Sequence, residues 1–159
     1  MIDHDRLFKE LIATFFIKFL ELFFSHVIAY LEPESLKFLD KEVFNDVTAS
    51  EQYEADLVVQ IRFREQKTFF LMHIENQSYP QADFGRRMFR YFARLFEKYA
   101  LPVYPIVVFS YDALRTPKKN IYRMKFPDKN VLEFNYGVVQ LNQLKVKWAR
   151  VVKINIYYS

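Results

Sequence analysis

Residues 56–77 read DLVVQIRFREQKTFFLMHIENQ, two apolar runs joined by the polar link Arg64-Glu65-Gln66. In the first run Leu57, Val59, Ile61 and Phe63 alternate with Asp56, Val58, Gln60 and Arg62, the period-2 pattern of a strand with two distinct faces. In the second, Phe69, Leu71, His73, Glu75 and Gln77 share one face, and Phe70, Met72, Ile74 and Asn76 share the other. A link this short fits a hairpin, which brings the start of the first strand beside the end of the second. Asp56 then falls near Glu75, and Glu75 and Gln77 point the same way, roughly 6.5 Å apart along the strand.

Two carboxylates and an amide carbonyl are hard oxygen ligands, suited to Mg²⁺ or Mn²⁺ bound through one or two carboxylates together with substrate phosphate. Such a metal makes a nucleophile from water and stabilises charge on a phosphodiester. The same spacing also suits ordinary strand-end charges facing water, because charged side chains are mostly exposed.

The wording of the motif goes further. The stretch Tyr53 to Tyr91 contains Asp56-Leu-Val, His73-Ile-Glu75-Asn-Gln77-Ser78 and Arg86-Arg87-Met88-Phe89-Arg90-Tyr91. It resembles the recombination-promoting nuclease and putative transposase family of the PD-(D/E)XK nuclease superfamily. The opening His4-Asp5-Arg6-Leu7-Phe8-Lys9 looks like the same family's first helix, and the resemblance runs from residue 3 to about 145. It implies a restriction-endonuclease-like α/β core with a mixed central sheet. It also implies Asp56 as the motif aspartate, Glu75 as the (D/E) of (D/E)XK, and Gln77 where most of the superfamily places lysine. The family itself commonly carries glutamine there. Lysine brings a positive charge, whereas glutamine offers only a neutral donor and acceptor, so the metal is expected to carry more of the activation.

A chain of 159 residues reads as one domain, and folding at this size buries on the order of 70% of the extended surface. With two glycines and no low-complexity run or internal repeat, a flexible linker is not expected. The 18 phenylalanines and 11 tyrosines exceed what a core of this size needs. Part of that surplus fits a partner surface, a second copy of the chain included. Cysteine is absent, which excludes disulfides and thiolate metal sites and favours a reducing cytoplasm. The N-terminus lacks the pattern of a signal peptide. Its greasiest stretch, LIATFFIKFLELFF, is interrupted by Lys18 and Glu21 and falls short of the ~20 apolar residues of a membrane span. A buried amphipathic helix is expected instead.

Charge is uneven along the chain. Residues 1–60 hold 5 basic and 12 acidic side chains, and residues 61–159 hold 18 and 7, so the two parts have opposite sign. A basic surface beside a carboxylate pair suits DNA, since each neutralised phosphate releases counterions. Lysines and arginines also serve simply to solvate a greasy chain. Arg86, Arg90 and Arg94 recur four residues apart on one helical face, with Arg87 flanking them, making a stripe able to clamp a DNA backbone or to pair with Asp83 or Glu97. By the resemblance Arg87 stands out, because the family tends to have arginine just before this Met/Leu-x-x-Tyr run.

Spacing predicts a long helix over residues 5–31, ended by Pro33. A first strand is expected in Leu36–Phe44, then the two motif strands. A second helix introduced by Pro80 and Asp83 runs to about Tyr99, with Phe84, Met88, Tyr91, Phe92 and Leu95 inward. Another strand follows in Val103–Tyr111. The order helix, three strands, helix, strand matches the core that the resemblance implies. Residues 115–129 (Arg115, Lys118, Lys119, Arg123, Lys125, Lys129) either reach DNA or form a solvated loop, and strand-like segments follow near Val131–Phe134 and Val138–Leu141. The end, Trp148 to Ser159, departs from the family, whose members usually continue into more chain. It reads as a truncated or drifting copy, which bears on activity more than on fold.

Asp5 is a weaker metal candidate, since an acid in a first helical turn also simply favours the helix dipole. His73 shares the face of Glu75, either near a metal or as a packed, hydrogen-bonded side chain, and His26 reads as structural. No nucleophile–base triad, phosphate loop or zinc spacing is present. The sequence thus points to a Mg²⁺- or Mn²⁺-dependent DNA endonuclease tied to recombination or mobile elements, with no small-molecule cofactor and no membrane. Two other classes stay open: an inactive nuclease-derived nucleic-acid-binding protein, and a protein-interaction module.

Overall fold

The expected hairpin forms the middle of the sheet. In a computed structural model that describes residues 4–39, 57–77, 80–109 and 120–140, β2 (Leu57–Arg62) pairs antiparallel with β3 (Phe69–Gln77), from Leu57↔Ile74 to Arg62↔Phe69. The link turns at Glu65 with φ 63°. A two-residue β1 (Lys37–Phe38) flanks β2, and β4 (Val103–Phe109) and β7 (Gly137–Gln140) continue the sheet beyond β3 as parallel neighbours. The order β1-β2-β3-β4-β7 makes a mixed five-stranded sheet.

Period-2 alternation assigns each face its helices. Val59, Ile61, Phe70, Met72, Ile74, Ile106 and Val108 join the N-terminal helical segment in one core, with Phe16, Phe19, Leu20 and Leu31 opposite them. On the other face Val58 and Leu71 meet Tyr91 and Leu95 of α4 (Phe84–Tyr99), and Val107 and Phe109 meet Met88. β3 is therefore covered on both sides, like the strands of α/β folds. Each fully buried large apolar side chain contributes about 1.5–3 kcal/mol relative to exposure. α4 begins where expected, with Asp83 before it in the left-handed region at φ 55° and no hydrogen bond from its side chain to the helix.

The first helix differs from expectation. It divides into α1 (His4–Thr14), α2 (Phe16–Phe23) and α3 (Ser25–Ile28), with breaks at Phe15 and Phe24. A straight helix over residues 5–31 would be about 40 Å long, far longer than the seven residues of β4 at about 3.3 Å each. Bending lets Phe16, Phe19, Leu20, Phe24, Val27 and Leu31 all stay in the core. At the second break the Phe24 ring packs edge-on to Tyr104 and lies 3.1 Å from where a Cβ on Gly137 would be, so the glycine admits the ring. The helical run ends at Ile28, five residues before Pro33. Pro33 instead starts a 3-10 turn, and Leu31 bridges to Phe63.

Residues 121–125 correct the solvated-loop alternative. They form β5 (Ile121–Lys125), which pairs with β6 (Asn130–Asn135) in a separate two-stranded sheet. Tyr122 and Phe134 pack against Phe89 of α4, while Arg123 faces Glu133 at 3.0 Å. Arg115, Lys118 and Lys119 lie outside the described residues, as do most of the expected first strand and the C-terminal stretch from Leu141. Among the described residues no helix is long and apolar enough to cross a membrane.

Candidate functional site

The site gathers at the C-terminal end of β3, under the first two turns of α4. His73, Glu75 and Gln77 lie on the α4 face of the strand and are all buried. A buried carboxylate needs compensation, because desolvating an isolated ion costs far more than a single hydrogen bond returns. Two described neighbours of that kind lie beside Glu75. His73 Nε2 lies 2.8 Å from Glu75 Oε1, and Arg87 Nη2 lies 3.7 Å from Glu75 Oε2, a distance for electrostatic attraction but not hydrogen bonding.

The histidine is held from above by Tyr91, whose ring meets it edge-on at 5.2 Å. Its Nδ1 is buried without a hydrogen-bond partner. A proton on Nε2 gives the carboxylate a donor and leaves only an acceptor lone pair unpaired on Nδ1, the cheaper of the two arrangements.

Arg87 reaches the site from α4 and turns inward. Its Nη2 donates to Gln77 Oε1 at 2.9 Å, its Nη1 donates to Gln81 Oε1, and its guanidinium sits 5.2 Å over the Phe84 ring. Gln77 Nε2 in turn approaches Gln81 Oε1 at 3.5 Å. Two glutamines and one arginine are thus hydrogen-bonded together beside Glu75. Arg86, Arg90 and Arg94 follow along the helix and, with Arg87, Gln81 and Asp83, line a recess of about 300 Å³.

A family model described as "Putative transposase, YhgA-like" matches residues 2–126. The chain belongs to that family. No curated protein and no solved structure matches it.

For this member of the YhgA-like family, the structure brings together Glu75, Gln77, Arg86, Arg87, Arg90 and Arg94 of the residues singled out from sequence. Asp56 lies outside the described residues. Asp5 falls in α1, and its side chain is not among those described. Among the described residues no three His, Cys, Asp or Glu side chains converge. The donor chemistry of Glu75 nevertheless suits a hard divalent cation, which takes carboxylate oxygen, and thiolate is absent from the chain, while Gln77 Oε1 already accepts from Arg87. His73 is packed and hydrogen-bonded, one of its two anticipated roles. Gln81 and Tyr91 were not anticipated in the site. Gln81 carried no spacing signal, and Tyr91 read as core because it sits on the apolar stripe of α4.

Proposed function

We propose that this chain is a metal-dependent DNA endonuclease with a restriction-endonuclease-like core, acting in recombination or on mobile elements. The observation that carries the proposal is the placement of Glu75 and Gln77 side by side at one end of β3, next to an arginine-lined recess. Membership of a family described as transposase-like agrees with a DNA substrate.

In this role Asp56 and Glu75 hold Mg²⁺ or Mn²⁺, with Asp5 as a further candidate ligand. When bound, the cation supplies activation of water and offsets charge on the phosphodiester. His73 fixes the rotamer of Glu75 by its hydrogen bond. Gln77 orients the attacking water or the scissile phosphate through its amide nitrogen, its Oε1 being held by Arg87. Arg86, Arg90 and Arg94 receive the DNA backbone, each guanidinium matching a phosphate with two parallel donors.

Plasmid nicking tests this. Cleavage is expected with Mg²⁺ and is expected to vanish with EDTA and in Asp56→Ala and Glu75→Ala. Equal cleavage by wild type and both variants removes the catalytic assignment. A second reading, nucleic-acid binding without turnover, is favoured by one observation: Glu75 is already flanked by His73 and Arg87. Salt-sensitive DNA binding without any nicking would select it.

A further inference from the structure

We infer that Arg87 supplies, from the facing helix, the positive charge that Gln77 does not provide, and that it is a positioning residue of the carboxylate centre and not a DNA-backbone contact. This rests on the reading of Glu75 and Gln77 as the nuclease motif.

Four observations carry it. The guanidinium lies against both motif side chains, 2.9 Å from Gln77 Oε1 and 3.7 Å from Glu75 Oε2. Its second amino group is engaged by Gln81, so the fork is oriented along the strand end. Its Nε is buried and its side chain is only 20% exposed, unlike a phosphate-seeking arginine on a helix surface. The plane rests on Phe84, which fixes its position without a competing negative charge.

Chain length explains the exchange. A lysine side chain is one atom longer than glutamine, so its ammonium at position 77 would extend from the present amide toward the space that Arg87 Nη2 fills. Lysine at 77 and arginine at 87 are then alternatives: together they place two cations in one buried spot, and with neither this cation is missing from beside the buried Glu75. Gln77 becomes the acceptor that seats the guanidinium, which gives the neutral amide a definite task.

The test is a two-by-two set, Gln77→Lys, Arg87→Met and the double variant, with Arg90→Met as a comparison. Arg87→Met is expected to lose about 100-fold in kcat, the size of loss seen when one preorganised donor is removed, with KM for DNA nearly unchanged. The double variant is expected to regain at least about tenfold. Arg90→Met is expected to raise KM instead. Melting gives a readout independent of cleavage. Each single variant should lower Tm by roughly 4–8 °C, equivalent to about 2 kcal/mol in a domain of this size, and the double variant should recover at least half of the combined loss. If Arg87→Met raises KM as Arg90→Met does, with kcat intact, or if Gln77→Lys gives no recovery in the Arg87→Met background, the inference is overturned. If the wild-type chain does not cleave at all, the nuclease reading fails, and the melting set alone decides whether Arg87 carries the charge for Glu75.

Discussion

His73 Nε2 and Glu75 Oε1 lie 2.8 Å apart on one face of β3, and both side chains are almost wholly excluded from solvent, at 0% and 3% exposure. Two residues apart on a strand, their Cβ atoms point to the same side, so the pair follows from the register of β3. Replacing His73 with leucine removes this donor from the buried carboxylate. We expect a cost of about 1.5–3 kcal/mol, the range for hydrogen bonds to charged groups, measured by urea unfolding at neutral pH. Glu75→Gln keeps an acceptor for Nε2 and is expected to cost clearly less. Equal losses in the two variants would show that the hydrogen bond does not hold the pair.

Phe19 is wholly buried between the helices and the sheet, with Phe23 and Phe24 rings 5.2 and 6.1 Å away, whereas Phe96 on α4 is 53% exposed. Phe19→Ala is expected to destabilise the fold by about 3–5 kcal/mol through lost burial and an unfilled cavity. Phe96→Ala should stay within about 1 kcal/mol. Denaturant midpoints of the two variants measured side by side check the contrast.

The recess formed by Arg86, Arg90 and Arg94 predicts salt-sensitive binding. Fluorescence anisotropy with a short DNA duplex should show affinity falling as salt rises. Each arginine replaced by alanine should make the log–log slope shallower by about one unit, with little dependence on DNA sequence. A slope unchanged in the triple variant would remove these side chains from the interface.

Burial raises the phenol groups of Tyr99, Tyr104 and Tyr136 above their ordinary value of 10.0. The folded chain therefore keeps these protons to higher pH than the unfolded chain does. Their contribution to stability is complete below about pH 10 and is lost as pH rises through the raised values. Thermal melts between pH 8 and pH 11 should show Tm falling at the alkaline end, less steeply in Tyr136→Phe.

Much of the sheet was legible because two simple periods hold. Strict alternation in residues 57–77 gives both strands and the faces of His73, Glu75 and Gln77, and three- and four-residue spacing gives α4 almost to the residue. The bends at Phe15 and Phe24 were not legible, since neither proline nor glycine marks them and their cause is the limited length of the sheet they cover. β5 escaped because its strand is short and basic, and its apolar contact, Tyr122 on Phe89, comes from another element. Within the site, parity placed Glu75 beside Gln77, and helical spacing made a stripe of arginines. Neither distinguished Arg87, one position off that stripe and turned toward the sheet, from its outward neighbours. That difference depends on Phe84, Gln77 and Gln81 acting together, and only the packed fold joins them.

Glu75 is the centre of the account, and Glu75→Gln tests it with the least disturbance, since shape and an acceptor for His73 are kept while the charge is removed. Single-turnover cleavage of plasmid DNA in Mg²⁺ should slow by about 1000-fold, the rate equivalent of several kcal/mol of lost charge stabilisation, with DNA affinity close to wild type and a loss of melting temperature no larger than that of Arg87→Met. A Glu75→Gln protein that cleaves at the wild-type rate would contradict the assignment of this carboxylate as the catalytic centre.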